Sequence, residues 1–473
     1  MKIVLINPPW ADTYGEFKDS AKSTVSYPPL GLCYLSSLMK ACGHIVKIVD
    51  FEAEDEERNE IIDSIISCAP EVIGITAATT VFHHAKEIAE EIKKRLSIPI
   101  VIGGPHVTLV REKAMRDGGY FDYGIYGEGE ETFRELITVL ESSGSVDTIK
   151  GIMYRKNGEI IVNEPRPYLD DLDALPFPDF ESLQLNKYCC HIPQKGVVPF
   201  LPVATSRGCP FLCIYCSAPS IFGKKVRFRS VNNVLDEFEY IVKDLKIFHL
   251  AFVDETLCLN RRRLVDLCRG IIERGLELTM EGWTRPNTVD EEVLGLMKKA
   301  GFVQLSFGIE SGDAEILKII RCDVKKEDVQ KAFTMAKRVG LETKGFVMIG
   351  HPYETKQTAS NTLKFIRNLK DCDQIYINIT TPYPGTKLHE MATKGEGGMH
   401  LLTENYSEYR KYGNAVIEVN DLSREDLIGL QKKGFIMFYL TPKRFIYNIK
   451  RAGLKSAAIN SFAFLKSVMG KSK

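Results

Sequence analysis

TSRGCPFLCIYCSAPS, residues 205–220, sets Cys209, Cys213 and Cys216 in a C-x3-C-x2-C array directly after a predicted strand. Three thiolates hold three corners of a 4Fe–4S cube and leave its fourth iron open to an outside ligand. A zinc ion completed by a distant fourth ligand, or left open to water, is the other reading of three cysteines. The tight loop favours the cluster, because zinc knuckles more often separate paired C-x2-C units.

Downstream of the loop, strands alternate with long helical segments. Counting VVPFLPVATS (197–206), six strands follow one another: HLAFVDE (249–255), LTMEGWT (278–284), FVQLSFGIE (302–310), KGFVMIG (344–350) and QIYINIT (374–380). Six strands predict a partial barrel with its site at the C-terminal strand ends. Upstream, KIVLIN (2–7), HIVKIVD (44–50), VIGIT (72–76) and IPIVIGG (98–104) also alternate with helices. That pattern predicts a doubly wound parallel sheet with ligands at its carboxyl edge. Between the two, GIMYRKNGEIIVNEP reads as a hairpin turning at Asn157-Gly158, followed by a Pro- and Asp-rich linker. The fold class is therefore α/β, divided as a first domain over 1–140, hairpin and linker over 141–195, barrel over 196–395 and a mostly helical basic region over 396–473.

A chain of 473 residues exceeds what one core usually supports. Its 62 basic and 62 acidic residues cancel, which gives no argument for a nucleic-acid partner. No run of eighteen apolar residues suggests a spanning helix, and MKIVLINPPW enters a strand at once; the expected location is the cytoplasm. Twelve cysteines in such a chain do not suggest a disulfide framework. Most of those outside the loop read as small buried hydrophobes, and the neighbours Cys189 and Cys190 chelate poorly alone. From Leu427 to Lys473 there are ten Lys or Arg and no Asp or Glu, with Phe445, Ile446, Ile449 and Leu454 at helical spacing. This stretch is either a core-packing helix with a solvated basic side or a face for a lipid-like substrate or the inner membrane surface.

The cysteine loop resembles the cluster loop of the radical S-adenosylmethionine (SAM) superfamily, with Tyr215 at the aromatic position before the last cysteine. The resemblance implies that SAM chelates the open iron. One electron, supplied by a reducing partner such as flavodoxin or ferredoxin, then cleaves it to methionine and a 5′-deoxyadenosyl radical. It also implies that Asp254 and Glu255 meet the SAM ammonium and Arg285 its carboxylate. Ser306 and Glu310 are implied for ribose and methionine contacts. His351 stands where the family's adenine strand more often has an apolar residue.

The first domain resembles the cobalamin-binding domain of class B, cobalamin-dependent radical SAM enzymes, through INPPW (6–10), GITAATT (74–80), GGPHVT (103–108) and YGEGEET (126–132). The resemblance implies cobalamin contacts at Pro8, Pro9, Thr76, Thr79, Gly103, Gly104, Gly127 and Glu128. The position of the Asp-x-His-x-x-Gly lower-ligand motif reads Asn7-Pro8-Pro9-Trp10, without histidine, so no protein lower ligand is expected. His83, His84 and His106 are the nearby alternatives. The acids Glu128, Glu130 and Glu131 also suit a helix start. The implied activity is methylation of an unactivated carbon of a small molecule by a SAM-derived radical and methylcobalamin. The alternatives are oxidative cyclisation, as in the anaerobic protoporphyrin-ester cyclases, and a non-catalytic iron–sulfur redox sensor.

Overall fold

A computed structural model describes residues 1–17, 27–192, 195–442, 444, 446 and 447. The first sheet has seven strands in the order β2-β1-β3-β4-β5-β6-β7. They are β1 (Lys2–Asn7), β2 (Ile45–Asp50), β3 (Val72–Thr76), β4 (Ile100–Gly103), β5 (Tyr123–Ile125), β6 (Ile152–Lys156) and β7 (Glu159–Val162). The pairs from β2 to β5 are parallel, and their sequences are near-continuous apolar runs because helices cover both faces. The order 2-1-3-4-5 reverses direction between β1 and β3, which opens a crevice at their carboxyl ends.

The hairpin β6–β7 departs from the expected boundary. It pairs antiparallel with β5 and extends the first sheet, so the first domain runs past residue 140 and the linker begins only after β7.

Two antiparallel strands, β8 (Cys189–Ile192) and β9 (Gly196–Pro199), lead into the barrel. Cys189 and Cys190 alternate along β8, so their thiols point to opposite faces and form no joint ligand. The second sheet contains β10 (Leu201–Val203), β13 (His249–Phe252), β14 (Thr279–Thr284), β15 (Phe302–Glu310), β16 (Glu342–Ile349) and β17 (Gln374–Ile379). All neighbours are parallel in that order, giving the expected six-stranded partial barrel. In β14, β16 and β17 the buried side chains pack outward under helices. Their alternates, including Glu281, Trp283, Lys344, Phe346, Tyr376 and Asn378, face the lumen and stay partly accessible.

The short strands β11 (Ser206–Arg207) and β12 (Arg227–Phe228) form a separate ladder. Beyond the barrel, β18 (Met399–Leu401) and β19 (Ile417–Val419) form another, ahead of a helix over Arg424–Tyr439. The C-terminal region is thus helical with a small sheet in front. Phe445 and residues 448–473, which carry most of the amphipathic stretch, lie outside the described residues. No described helix is long and apolar enough to cross a membrane.

One hydrophobic core is continuous across the two domains, joining Ile3, Leu5 and Phe133 of the first to Phe238, Phe252 and Phe302 of the second. A second core fills the other face of the first sheet, around Ile73, Ile88 and Ile102. The strand ends of both sheets are therefore held facing one another.

Candidate active site

The cysteine loop is closed by backbone geometry. Ser206 pairs with Phe228 and Arg207 with Arg227, so both ends are pinned by the β11–β12 ladder. Gly208 turns with φ +103°, where any side chain would run into the Lys225 carbonyl. The Cys209 N–H then donates to the Gly223 carbonyl at 3.1 Å. The three thiols sit in one tight turn, which suits a cluster giving each thiolate its own iron. Among the described residues no three ligand-type side chains are grouped around one point for a single ion.

A hydrogen bond with Cys322, reinforced by the Arg285 guanidinium, holds the Cys213 thiol below its ordinary range. Burial raises the Cys209 and Cys216 thiols, the latter to about 11. Ligation needs thiolates, so cluster assembly must remove protons from these two against their burial. Cys322, read in sequence as one more buried hydrophobe, is the neighbour that reasoning missed.

Arg285 lies at the end of β14, 3.7 Å over the Phe211 ring, with Nη1 3.6 Å from Cys213 Sγ. Its Nε and Nη2 are buried without a partner. Unpaired buried guanidinium donors are costly, and a ligand carboxylate beside the cysteines would satisfy them. Of the two adjacent acids, Asp254 is a structural bracket. It is buried and accepts from the Thr205 N–H at 3.1 Å, from Thr205 Oγ1 at 2.8 Å and from Ser206 Oγ. Those bonds tie β13 to the base of the loop, leaving Glu255 as the acid that faces the cavity. Glu255 Oε2 has no partner, and burial, with the Asp254 charge adding, pushes its carboxyl up to about 7. An ammonium placed there would relieve both.

Glu310 ends β15 after a register shift at Gly308 and holds φ +61°. Such strain in a non-glycine residue re-aims a side chain and persists where the surroundings enforce it. Burial pushes its carboxyl up to about 8, while a hydrogen bond with Tyr215 opposes the shift. His351 Nε2 lies 3.4 Å from the Glu310 carbonyl, and its ring centroid is 6.3 Å from that of Tyr215. Ser306 is buried on β15, level with Trp283 and Lys344 on the adjoining strands. Tyr215, Arg285 and Glu310 thus gather around Cys213, and Ser306 lies further down the lumen.

A cavity of about 620 Å³ separates these strand ends from the first sheet. Asn7, Trp10, Thr76, Gly103, Gly104, Gly127, Glu128, Arg207 and Glu255 are among its lining residues. Gly103 meets nothing nearer than 3.8 Å from a built Cβ, and Gly31 and Gly127 meet nothing within 4 Å. Their missing side chains are open floor, as a flat ring laid on backbone requires. Gly104 differs: at φ +96° a Cβ would come 2.6 Å from Thr76 Oγ1, so this glycine serves the turn, as does Gly127 at φ +80° besides leaving open space. Pro8, Pro9 and Thr79 do not line the cavity, and Thr79 Oγ1 is instead 3.2 Å from His106 Nδ1. None of His83, His84 and His106 lines it either. His84 faces Asp12 and Glu87, and His106 packs at 4.3 Å against the Phe82 ring.

Glu128 lines the cavity and is also held in a buried ion-pair network. Its carboxylate accepts from Arg207 Nη1 at 3.2 Å, Arg227 Nη1 at 2.8 Å and the Leu169 N–H at 2.8 Å. Glu130 accepts from Arg207 Nη2 at 2.6 Å. These four charged side chains are nearly buried and clamp the first domain to the ladder beneath the cysteine loop. Among the described residues Glu131 pairs locally, with Arg134. The acids were legible as a helix start, but their arginine partners lie more than seventy residues away.

Comparison with known proteins agrees with both halves of this geometry. A B12 binding domain matches residues 20–137, and the radical SAM superfamily matches residues 203–366. An uncharacterized methyltransferase of Pyrococcus horikoshii is 36% identical over 450 residues, 95% of each chain. The anaerobic magnesium-protoporphyrin IX monomethyl ester cyclase of Rubrivivax gelatinosus is 27% identical, over 93% of this chain and 78% of its own. Among solved structures, the cobalamin-dependent SAM radical enzyme OxsB, with aqua-cobalamin and SAM bound, superposes with a TM-score of 0.74. It is 17% identical, covering 99% of this chain and 71% of the other. The radical SAM methyltransferase TsrM of Kitasatospora setae, with cobalamin and a 4Fe–4S cluster bound, gives 0.70 at 18% identity, over 85% and 77%. At such identities the two structures speak for the fold.

Proposed function

Because this chain belongs to the radical SAM superfamily, in the branch that carries a B12-binding domain, we propose that it is a methyltransferase acting on an unactivated carbon. A single cavity supports this reading: Gly103 and Gly127 of the first domain and Glu255 of the barrel line the same space. When bound, the cluster supplies the electron that cleaves SAM, and cobalamin carries the methyl group.

The chain's own residues do the positioning. Cys209, Cys213 and Cys216 would ligate the cluster. The unpartnered donors of Arg285 would take the SAM carboxylate, and Glu255 its ammonium. The open backbone at Gly31, Gly103 and Gly127 admits the corrin face. The Glu128–Arg207–Glu130–Arg227 clamp ties the first domain to the ladder at the base of the cysteine loop, and so would keep the residues that hold the corrin in register with those that hold the cluster.

The test is the coproduct balance after anaerobic reconstitution with cobalamin and a reductant. Methylation yields S-adenosylhomocysteine and 5′-deoxyadenosine in equal amounts. The identity to the Rubrivivax cyclase supports a second reading, oxidative cyclisation, which yields 5′-deoxyadenosine without S-adenosylhomocysteine. No SAM cleavage at all would leave only the redox sensor.

A further inference from the structure

A six-stranded partial barrel leaves a lateral gap between its first and last strands, here β10 and β17. The 3-10 turn over Ala11–Phe17 and the segment 409–413 come together at that side. The Lys411 N–H donates to the Thr13 carbonyl at 2.7 Å, and Gly15 packs under the Tyr412 carbonyl. Lys411 Nζ lies 5.3 Å from the Tyr14 ring centroid, 5.4 Å from Tyr376 and 5.7 Å from Tyr412. Lys344 Nζ, from the lumen face of β16, lies 5.6 Å from the same Tyr376 ring.

Two ammonium groups thus flank one tyrosine. Lys411 is accessible yet enclosed by protein, and lost hydration together with the Lys344 charge lowers its pKa. Among the described residues, no carboxylate lies within ion-pair distance of either lysine. Glu281, the nearby lumen acid on β14, is outside that range. Ring faces offset part of the cost of gathering like charges, but an anion would remove it. The walls are aromatic: besides Tyr14, Tyr376 and Tyr412, Tyr27 is 40% exposed and stands edge-on to Phe200 at 4.9 Å. Tyr14 and Tyr27 also line the cavity between the domains, so this cluster of lysines and tyrosines adjoins the space where the proposed chemistry takes place.

We propose that Lys344 and Lys411 form the anion-binding end of the substrate site, and that the substrate is a carboxylic acid or phosphate ester on a flat apolar body. This rests on the methyltransferase reading for what happens to the substrate, but not for how the acid is held. The lysines grip the charged end, the tyrosines stack the body, and the far end points toward the cavity.

The test uses the full chain loaded with cobalamin and the cluster. Three probes are titrated by ligand-observed NMR: 2-naphthoate, 2-naphthyl phosphate and the neutral 2-naphthamide. At least one acid is expected to bind tenfold or more tightly than the amide, and the tighter of the two identifies carboxylate or phosphate. The double variant Lys344→Met/Lys411→Met is expected to lose that preference while retaining corrin. Lys344→Arg/Lys411→Arg is expected to keep it. Should the double methionine variant not retain corrin, single Lys411→Gln is read instead, with a threefold or larger loss expected. Equal binding of acids and amide by the wild type, or a preference surviving the charge-removing variants, overturns the proposal. Coproducts from the same preparations separate the two readings. Acid preference without S-adenosylhomocysteine sinks methyl transfer and leaves the anion site standing, and the reverse pattern does the opposite.

Discussion

The two sides of the cavity are built on opposite principles. The barrel side presents buried polar atoms that lack partners, Arg285 Nε and Nη2 and Glu255 Oε2, beside three cysteines in no disulfide. The first-domain side presents bare backbone at Gly31, Gly103 and Gly127, where side chains are missing. One side recognises by charge and ligation, the other by shape. The difference teaches that the two cofactor sites can be damaged independently, whereas the clamp between them cannot be broken without loosening both.

The largest effect should come from Cys213→Ala. Losing one thiolate should abolish cluster assembly and SAM cleavage while leaving corrin stoichiometry unchanged, as read by iron analysis and corrin absorption. A parallel loss of corrin would mean the sides are not independent. Glu128→Ala attacks the clamp: Arg227 loses its carboxylate and keeps only the Leu169 and Phe222 carbonyls, while Arg207 retains Glu130. Removing one member of a buried pair typically costs roughly 3–5 kcal/mol. Urea denaturation should register it as one cooperative shift of both domains, whereas two separated transitions would show that the clamp does not couple them.

Asp50 offers a pH-dependent probe of the first sheet and of the linker that Tyr188 ties to it. Burial pushes its carboxyl up to about 6, against bonds from Asn7 Nδ2 at 2.9 Å and the Tyr188 hydroxyl at 2.8 Å. Between about 6 and its ordinary 3.8, the native state holds a proton that the unfolded chain has released. This group's contribution to stability therefore grows as pH falls through that window, and above it the residue carries a constant cost. Two units correspond to about 3 kcal/mol. Relative to wild type, Asp50→Asn should gain urea resistance as pH rises from about 4 to about 7; a pH-independent difference would refute the assignment. The smallest effect is expected from Gly103→Val, whose side chain projects into open cavity. Corrin affinity should fall about tenfold, near 1.4 kcal/mol, with the melting temperature and cluster content preserved.

Legibility followed the same divide. Ligand spacing is local, so Cys209, Cys213 and Cys216 and the six barrel strands stood out in the sequence. The shape-based side is assembled from strand ends far apart in the chain, and there the reading blurred. Pro8 and Pro9 were expected at the cavity, but their neighbours Asn7 and Trp10 line it. Asp254 and Glu255 are adjacent on the chain just past the end of β13. Which one faces inward is set by the turn there and by the Thr205 and Ser206 partners of Asp254, far away in sequence. Glu128 carried no trace of Arg207 and Arg227. The hairpin β6–β7 was recognised as a hairpin, but the edge it joins is set by tertiary packing against β5.

The β11–β12 ladder has a kinetic consequence. Joining the ends of a flexible loop normally costs entropy that rises slowly with its length. Here two backbone pairs, the Gly208 turn and the Asp254 bracket fix both ends with ordinary hydrogen bonds. Iron and sulfide then meet a ring already closed rather than a strand that must be wrapped around them. Delivery can follow folding as a separate event, and a chain that has lost its inorganic core can be refilled without being unfolded first.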